Sequence, residues 1–115
     1  MGQVNLVLIG RQFITDRGSF TLTSGVLSQE PMKGSTSISM VNAGIEGFVR
    51  AAALELPQGI RINAVCPPWV RETLLALRMD PSLGMPAATV ARAYLTSAEG
   101  KETGQIIDPR KLATE

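Results

Sequence analysis

The sequence has 115 residues, a formal net charge of +1, and a composition that is 44% hydrophobic and 18% charged. This length fits one domain, and the apolar fraction is sufficient for a packed core and too high for a disordered chain. The absence of histidine and the single cysteine exclude imidazole metal sites, Ser-His-Asp triads, internal disulfides and multi-cysteine zinc sites.

The first third of the chain contains one ambiguous segment and one clear strand. Residues 3–14 are mostly apolar, and their pattern fits both the alternation of a strand and the spacing of a helix face. After a turn, residues 19–23 alternate β-branched and aromatic side chains, which predicts a short strand. Residues 26–35 contain a proline and a glycine and are predicted to form a loop.

Residues 36–56 give the clearest helical pattern, with two apolar stripes separated by a thin polar row. The first stripe contains Val41, Ile45, Phe48, Ala52 and Leu56, the second contains Met40, Gly44, Gly47 and Ala51, and the polar row contains Asn42, Glu46 and Arg50. The spacing of Glu46 and Arg50 predicts an i,i+4 ion pair at the surface or in an interface. The flat second stripe favours close approach of another helix.

The remaining elements alternate between strands and helices. Residues 60–66 and 104–107 are predicted strands, and residues 71–79 and 86–98 are predicted helices. The inward positions of the last helix are expected to be Val90, Ala93, Tyr94 and Ala98. The tail from residue 110 to residue 115 is expected to fray. Alternating strands and helices indicate an α/β fold with a parallel sheet.

Several segments resemble the second half of a short-chain dehydrogenase/reductase. The densest match is the run EGFVRAAALEL at residues 46–56 followed by GIRINAVCP at residues 59–67, which is similar to the active-site helix and sixth strand of that family. Residues 18–25 resemble the fifth strand with its active-site segment, and TGQIID at residues 103–108 resembles the closing strand. The resemblance covers about residues 18 to 108.

The resemblance implies a specific architecture. It predicts the C-terminal half of a Rossmann-like doubly wound parallel sheet, with three strands and about four helices. Residues 1–115 would form a single partial domain without the nucleotide-binding half. Because the segment before the fifth strand is a helix in the family, residues 3–14 are predicted to be helical.

The sequence departs from the family at its active-site positions. The family's tyrosine and lysine positions fall on Ile38 and Asn42, and its serine position falls on Gly25, with Ser24 one residue earlier. Isoleucine cannot donate a proton, and asparagine cannot supply the positive charge that lowers the pKa of a tyrosine. The sequence also lacks a G-x-G-x-x-G cluster, the turn that holds a dinucleotide pyrophosphate.

The resemblance therefore implies a set of candidate site residues with altered chemistry. Ser24 and Asn42 are the candidate catalytic residues. The alternatives are that the Ser24 hydroxyl bonds backbone groups at the strand end and that the Asn42 amide is solvated or contacts another helix. The candidate cofactor-binding residues are Gly25, Pro67, Val70 and Thr73. The implied cofactor is NAD or NADP in a complete protein, with none bound tightly by this chain, and no metal site is expected.

The resemblance and the altered site residues predict two alternative functions. The first is an NAD(P)-dependent oxidoreductase that moves hydride to or from a carbonyl or alcohol substrate, with this chain alone inactive. The alternative is a truncated or degenerate family member that serves as an oligomerisation or binding module. In either case the resemblance implies a homodimer or higher homo-oligomer.

Charge and targeting signals predict few other partners. A near-neutral chain gives no electrostatic footprint for nucleic acid, and no apolar stretch reaches the roughly 18 residues of a membrane span. The first residues lack the basic charges of a signal peptide, and Leu6 occupies a position where myristoylation requires Ser or Thr. The expected location is the cytoplasm.

Overall fold

A computed structural model describes residues 2–112 and shows one three-stranded parallel sheet with the order β1-β2-β3. The strands are β1 (Ser19–Thr23), β2 (Arg61–Val65) and β3 (Ile106–Ile107). The α-helices are α1 (Gly2–Gly10), α2 (Thr36–Glu55), α3 (Arg71–Ala76), α4 (Ala87–Glu99) and the short α5 (Pro109–Leu112). The predicted α/β fold, with three parallel strands and Rossmann-like layering, is confirmed.

The register of the strands places their carboxyl ends side by side. Thr23 at the end of β1 lies opposite Val65 at the end of β2, and Val65 in turn lies opposite Ile107 at the end of β3. The segments that follow the three strands therefore meet at one edge of the sheet, and this edge is where ligands bind in open α/β sheets.

The first helix resolves the ambiguity of the N-terminal segment, as the resemblance predicted. Val7 is 1% exposed and packs against Leu22, Val49 and Ile62 in the main core cluster. At the start of α1, the amide of Gln3 pairs with the backbone of Thr23, since Nε2 donates to the carbonyl at 3.0 Å and Oε1 accepts from the N–H at 2.7 Å. Gln3 thus satisfies polar backbone at the outer edge of β1.

The predicted apolar stripe of α2 packs against the core cluster at four of its five positions, which are Ile45, Phe48, Ala52 and Leu56. The prediction is wrong for Val41, which is 51% exposed, and for the polar row, since Glu46 is buried and Asn42 is half-buried. Glu46 is buried because its carboxylate finds hydroxyl partners in the segment that follows β1.

Helix α4 covers the opposite face of the sheet through polar contacts as well as apolar ones. Val90 and Ala93 are buried as predicted and Tyr94 is half-buried, but the next inward residue is Ser97, and Ala98 is exposed. The Tyr94 hydroxyl lies 2.7 Å from the Thr23 hydroxyl, and Ser97 hydrogen-bonds Thr21. The prediction for Ala98 is wrong because Thr21 and Thr23 of β1 present hydroxyls to α4, which favour a polar group opposite them.

Two side chains of β2 hold the segment between α4 and β3. Arg61 donates to the carbonyls of Ser97 at 2.7 Å and Ala98 at 2.9 Å, which satisfies the carboxyl end of α4. Asn63 is 1% exposed; its Nδ2 donates to the Glu102 carbonyl at 3.0 Å, and its Oδ1 accepts from the Gln105 N–H at 3.0 Å.

The tail is partly ordered, contrary to the expectation of fraying. Pro109 is buried and begins the helical turn Pro109–Leu112. Arg110 bridges Asp108 at 2.8 Å and Glu30 at 2.7 Å. The remainder of the predicted frayed segment, residues 113–115, lies outside the described residues. No helix within residues 2–112 combines the length and apolarity that crossing a membrane requires.

Candidate active site

An open cavity of about 320 Å³ lies at the carboxyl edge of the sheet. Its walls come from the segment after β1, the first turns of α2 and the segment between β2 and α3. The lining residues are Ser24, Gly25, Val26, Leu27, Ile38, Asn42, Pro67, Pro68, Trp69, Val70 and Thr73. We call this cavity the cleft.

The cleft contains all six of the residues that the sequence suggested for the site. The candidates Ser24, Gly25, Asn42, Pro67, Val70 and Thr73 come from three separate segments and line the same cavity. Parallel pairing brings them together, because the Ser24 N–H bonds the Val65 carbonyl at 2.9 Å and the Val26 N–H bonds the Pro67 carbonyl at 3.2 Å. Their individual roles remain predictions.

Ser24 and Glu46 form a hydrogen-bonded pair at the floor of the cleft. Ser24 is 8% exposed, and its Oγ donates to Oε2 of Glu46 at 2.7 Å. Glu46 is 3% exposed and accepts a second hydrogen bond from Ser28 Oγ, also at 2.7 Å. The predicted surface ion pair between Glu46 and Arg50 is therefore wrong, because the carboxylate points inward to two serine hydroxyls.

Gly25 and Asn42 share one small volume. A Cβ added at Gly25 would lie 2.9 Å from Nδ2 of Asn42, a contact too close for either group to stay in place. The amide of Asn42 thus fills the space that a side chain at residue 25 would take. Ile38, which the resemblance assigns to the family's tyrosine position, is 55% exposed and adds an aliphatic side chain to the same wall.

Substituting Gly25→Ser is expected to displace the Asn42 amide at a small cost in stability. Because Gly25 has an extended backbone with φ of −174° and Nδ2 is the movable end of a side chain, the loss should be below about 1 kcal/mol. Urea unfolding of Gly25→Ser, Asn42→Ala and the double variant measures the coupling. If the two losses simply add, the amide does not occupy this volume.

The far wall of the cleft is held by backbone pairing with the segment before α4. Val70 and Met85 form a parallel bridge, and the Met85 N–H donates to the Trp69 carbonyl at 2.8 Å. Gly84 makes this approach possible, since a Cβ there would lie 2.7 Å from the Arg71 backbone nitrogen. Trp69 is 42% exposed and presents an aromatic surface to the cleft.

The single cysteine lies behind the floor of the cleft and is not a nucleophile candidate. Burial raises the pKa of the Cys66 thiol, and the negative charge of Glu46 adds to this increase. A thiol with a raised pKa carries little thiolate, which is the reactive form. Within residues 2–112 no group of three or more His, Cys, Asp or Glu side chains is placed to hold a metal.

Sequence reasoning missed one central feature of this site, the inward orientation of Glu46. Its two partners, Ser24 and Ser28, lie about twenty residues earlier in the chain, so no periodicity of α2 identifies them. The available signal was a pair of serines at i and i+4 immediately after a predicted strand.

A larger cavity of about 510 Å³ lies beside β3 and contains none of the predicted site residues.

Comparison with known proteins agrees with this geometry. A family model of the short-chain dehydrogenase type, described as enoyl-(acyl carrier protein) reductase, matches residues 2–106. The chain therefore belongs to the short-chain dehydrogenase/reductase family. Among curated proteins, a D-beta-hydroxybutyrate dehydrogenase of Cupriavidus necator is 33% identical over 73 residues, which are 60% of this chain and 28% of that enzyme.

Solved structures extend the similarity over most of the chain. The protein lin1944 from Listeria innocua superposes with a TM-score of 0.86 at 41% identity, covering 93% of this chain and 55% of that one. A small-chain dehydrogenase solved in complex with NADPH gives a TM-score of 0.78 at 28% identity, covering 93% and 56% of the two chains. The present chain thus spans about half the length of these structural relatives.

Proposed function

We propose that this chain is the substrate-facing half of an NAD(P)-dependent oxidoreductase that transfers hydride between a nicotinamide and a carbonyl or alcohol carbon. The observation that carries the proposal is the cleft, where Ser24, Asn42 and the loops after β1 and β2 meet at the carboxyl edge of the sheet. Membership of the short-chain dehydrogenase/reductase family supports the same class of reaction. So does a relative of known structure that was solved with NADPH.

The cleft fits the nicotinamide end of such a cofactor. Pro67 and Val70 offer an apolar wall, and Gly25 lines the cleft beside the Asn42 amide. The Thr73 hydroxyl and the Asn42 amide provide hydrogen-bonding groups that suit a carboxamide or a ribose hydroxyl. When bound, NAD or NADP would supply the hydride donor or acceptor, and the apolar lining would limit the access of water.

The pyrophosphate end has no matching residues in this sequence, which lacks a glycine-rich turn. We propose that residues 1–115 form one partial Rossmann-like domain and that the nucleotide-binding half is contributed by residues outside this sequence. The chain alone would then bind NAD or NADP weakly and show no turnover.

A second candidate, a non-catalytic oligomerisation module, is favoured by the exposed face of α2. Met40 is 69% exposed, and Gly44, Gly47 and Ala51 beside it are also exposed. Such a flat face permits close packing of a second copy, so a homodimer or a higher homo-oligomer is the proposed assembly. Sedimentation showing only a monomer at micromolar concentration would refute that assembly.

Nucleotide titration separates the two functions. NADH and NADPH fluorescence should show no saturable low-micromolar binding by the 115-residue chain, because the pyrophosphate turn is lacking. The protein encoded by the reading frame extended upstream of Met1 should bind one of the two nucleotides if the oxidoreductase proposal is correct. Binding by neither protein, together with self-association, would instead favour the module. Tight binding by the 115-residue chain would contradict the assignment as a half-domain.

A further inference from the structure

The hydroxyl of Ser24 is oriented in a way that restricts what the cleft can recognise. A serine hydroxyl has one hydrogen to donate and two lone pairs that accept. The hydrogen of Ser24 is directed at Oε2 of Glu46, 2.7 Å away, while the residue itself lines the cleft. What Ser24 offers a ligand in the cleft is therefore an acceptor lone pair.

This orientation suits an alcohol and does not suit a bare carbonyl. A hydroxyl group on the ligand can donate to Ser24 Oγ without disturbing the bond between Ser24 and Glu46. A carbonyl oxygen can only accept, so it would face the lone pair of Ser24 Oγ, which is also an acceptor. It could bond Ser24 only if the hydroxyl first broke its bond to the carboxylate. Hydrogen-bonded complementarity of this kind discriminates strongly because a buried polar group left unpaired is costly.

Glu46 is the group that holds the Ser24 hydroxyl in this orientation. A buried carboxyl group whose hydrogen-bond donors are the uncharged hydroxyls of Ser24 and Ser28 is costly to retain as a purely structural feature. It is within direct proton-transfer distance of a hydroxyl that lines the cleft. It also lies in a site where Ile38 and Asn42 replace the family's proton-transferring tyrosine and lysine.

We propose that Ser24 and Glu46 form a proton relay that accepts the hydroxyl proton of an alcohol substrate; the proposal rests on the oxidoreductase function proposed above. The alcohol O–H proton passes to Ser24 Oγ while the proton of Ser24 passes to Oε2 of Glu46. The carbinol C–H bond breaks, and its hydrogen leaves as hydride for the oxidised nicotinamide, which is the electron acceptor. The carbon–oxygen double bond of the product forms, and Glu46 holds the released proton.

In this relay Ser24 touches the substrate and Glu46 acts through Ser24. Ser24 is therefore a catalytic residue and Glu46 is a positioning residue that receives the proton. The reverse reaction, carbonyl reduction, uses the same path and requires Glu46 to begin with a proton. The apolar side chains of Leu27, Ile38 and Trp69 around the cleft favour alcohols with a hydrocarbon body.

The first test needs no turnover and uses the 115-residue chain. Cyclohexanol and cyclohexanone, which differ in this one hydrogen-bonding group, are titrated while the NMR signals of the Glu46 carboxyl carbon and the Ser24 β-carbon are followed. Cyclohexanol should shift both signals, cyclohexanone should leave the carboxyl signal unchanged, and Ser24→Ala should abolish the response to the alcohol. Equal responses to the two compounds, or no response to cyclohexanol, would overturn the relay.

The second test measures the reaction in the longer, nucleotide-binding protein. Glu46→Gln keeps the size of the side chain and an acceptor oxygen for both serines but cannot take a proton. It should lower kcat for alcohol oxidation by about 100-fold with little change in KM or nucleotide affinity, and Glu46→Asp should recover part of the rate. Glu55→Gln, the same change at an exposed position of α2, is the matched control.

The outcomes of the two tests distinguish the relay from the underlying function. A Glu46→Gln protein that is folded and retains the wild-type kcat would overturn the relay while leaving the oxidoreductase function intact. A longer wild-type protein that binds no nucleotide and oxidises no alcohol would refute the oxidoreductase function, and the relay would fall with it as a catalytic device. The cyclohexanol titration would still decide whether Ser24 is oriented as an acceptor.

Discussion

Replacing Ile62 by alanine is expected to lower the free energy of unfolding by about 3 kcal/mol, the largest loss among the substitutions considered. Ile62 is 0% exposed, lies in the central strand and packs in the cluster with Val7, Leu22 and Val49. Truncation there removes apolar contacts and leaves a cavity that the packing of α1 and α2 on the sheet cannot close. Urea unfolding followed by the fluorescence of Trp69, the single tryptophan, measures the change.

A matched truncation on the surface provides the control for this result. Leu54 is 88% exposed at the end of α2, so Leu54→Ala should change the free energy of unfolding by less than about 0.5 kcal/mol. A loss below about 1 kcal/mol for Ile62→Ala would show that α1 and α2 do not pack on β2 in solution as they do in the structure.

The second large effect is expected at Asn63. Substitution by leucine keeps the approximate size of the side chain but removes the amide that bonds the Glu102 carbonyl and the Gln105 N–H, each at 3.0 Å. The Glu102 carbonyl keeps the Arg61 guanidinium as a donor at 3.3 Å, so the Gln105 N–H is the group left unpaired. Since an unpaired and partly buried backbone group costs about 1–3 kcal/mol, the loss should be about 2 kcal/mol. Urea unfolding measures it.

Hydrogen exchange at individual amides tests whether the loss of stability at Asn63 comes from undocking of β3. The N–H of Ala64 bonds the Gln105 carbonyl just before β3, and the N–H of Cys66 bonds the Ile107 carbonyl in β3. Their protection from hydrogen exchange should fall further than that of the Ser24 N–H, which bonds Val65 in β2. Asn5→Leu on the exposed face of α1 should lose little and is the control. Uniform loss of protection across the sheet would argue against a specific role in docking β3.

The candidate site shows where reasoning from sequence succeeds. The strand at Ser19–Thr23 and the strand at Arg61–Val65 are short, rich in β-branched residues and bounded by turns or prolines, and the structure has them at the predicted places. Once two parallel strands are fixed, the residues after them must converge at one edge. The resemblance to the family implied that Ser24, Gly25 and Pro67 belong to one site, and the parallel pairing of β1 and β2 brings them to the same edge.

The errors share a physical origin, which is that long-range partners decide the rotation of a helix. The pattern of α2 allowed its polar row to face solvent, but Glu46 turns inward because hydroxyls from residues 24 and 28 are available there. In α4 the inward residue is Ser97 and not Ala98, because threonine hydroxyls of β1 lie opposite. Helical periodicity alone does not distinguish such adjacent faces, since each satisfies the same spacing.

The sequence by itself determined the fold class and the order of strands and helices, and its resemblance to the family predicts that Ile38 and Asn42 take the places of the family's tyrosine and lysine. These are properties of local pattern and residue identity, which are present before the chain folds. Only the tertiary structure decided that Asn42 fills the space beside Gly25 and that Ser24 directs its proton to Glu46. The direction of a hydrogen bond depends on where distant segments meet, so the orientation of the site emerged only when β1, β2 and α2 were packed together.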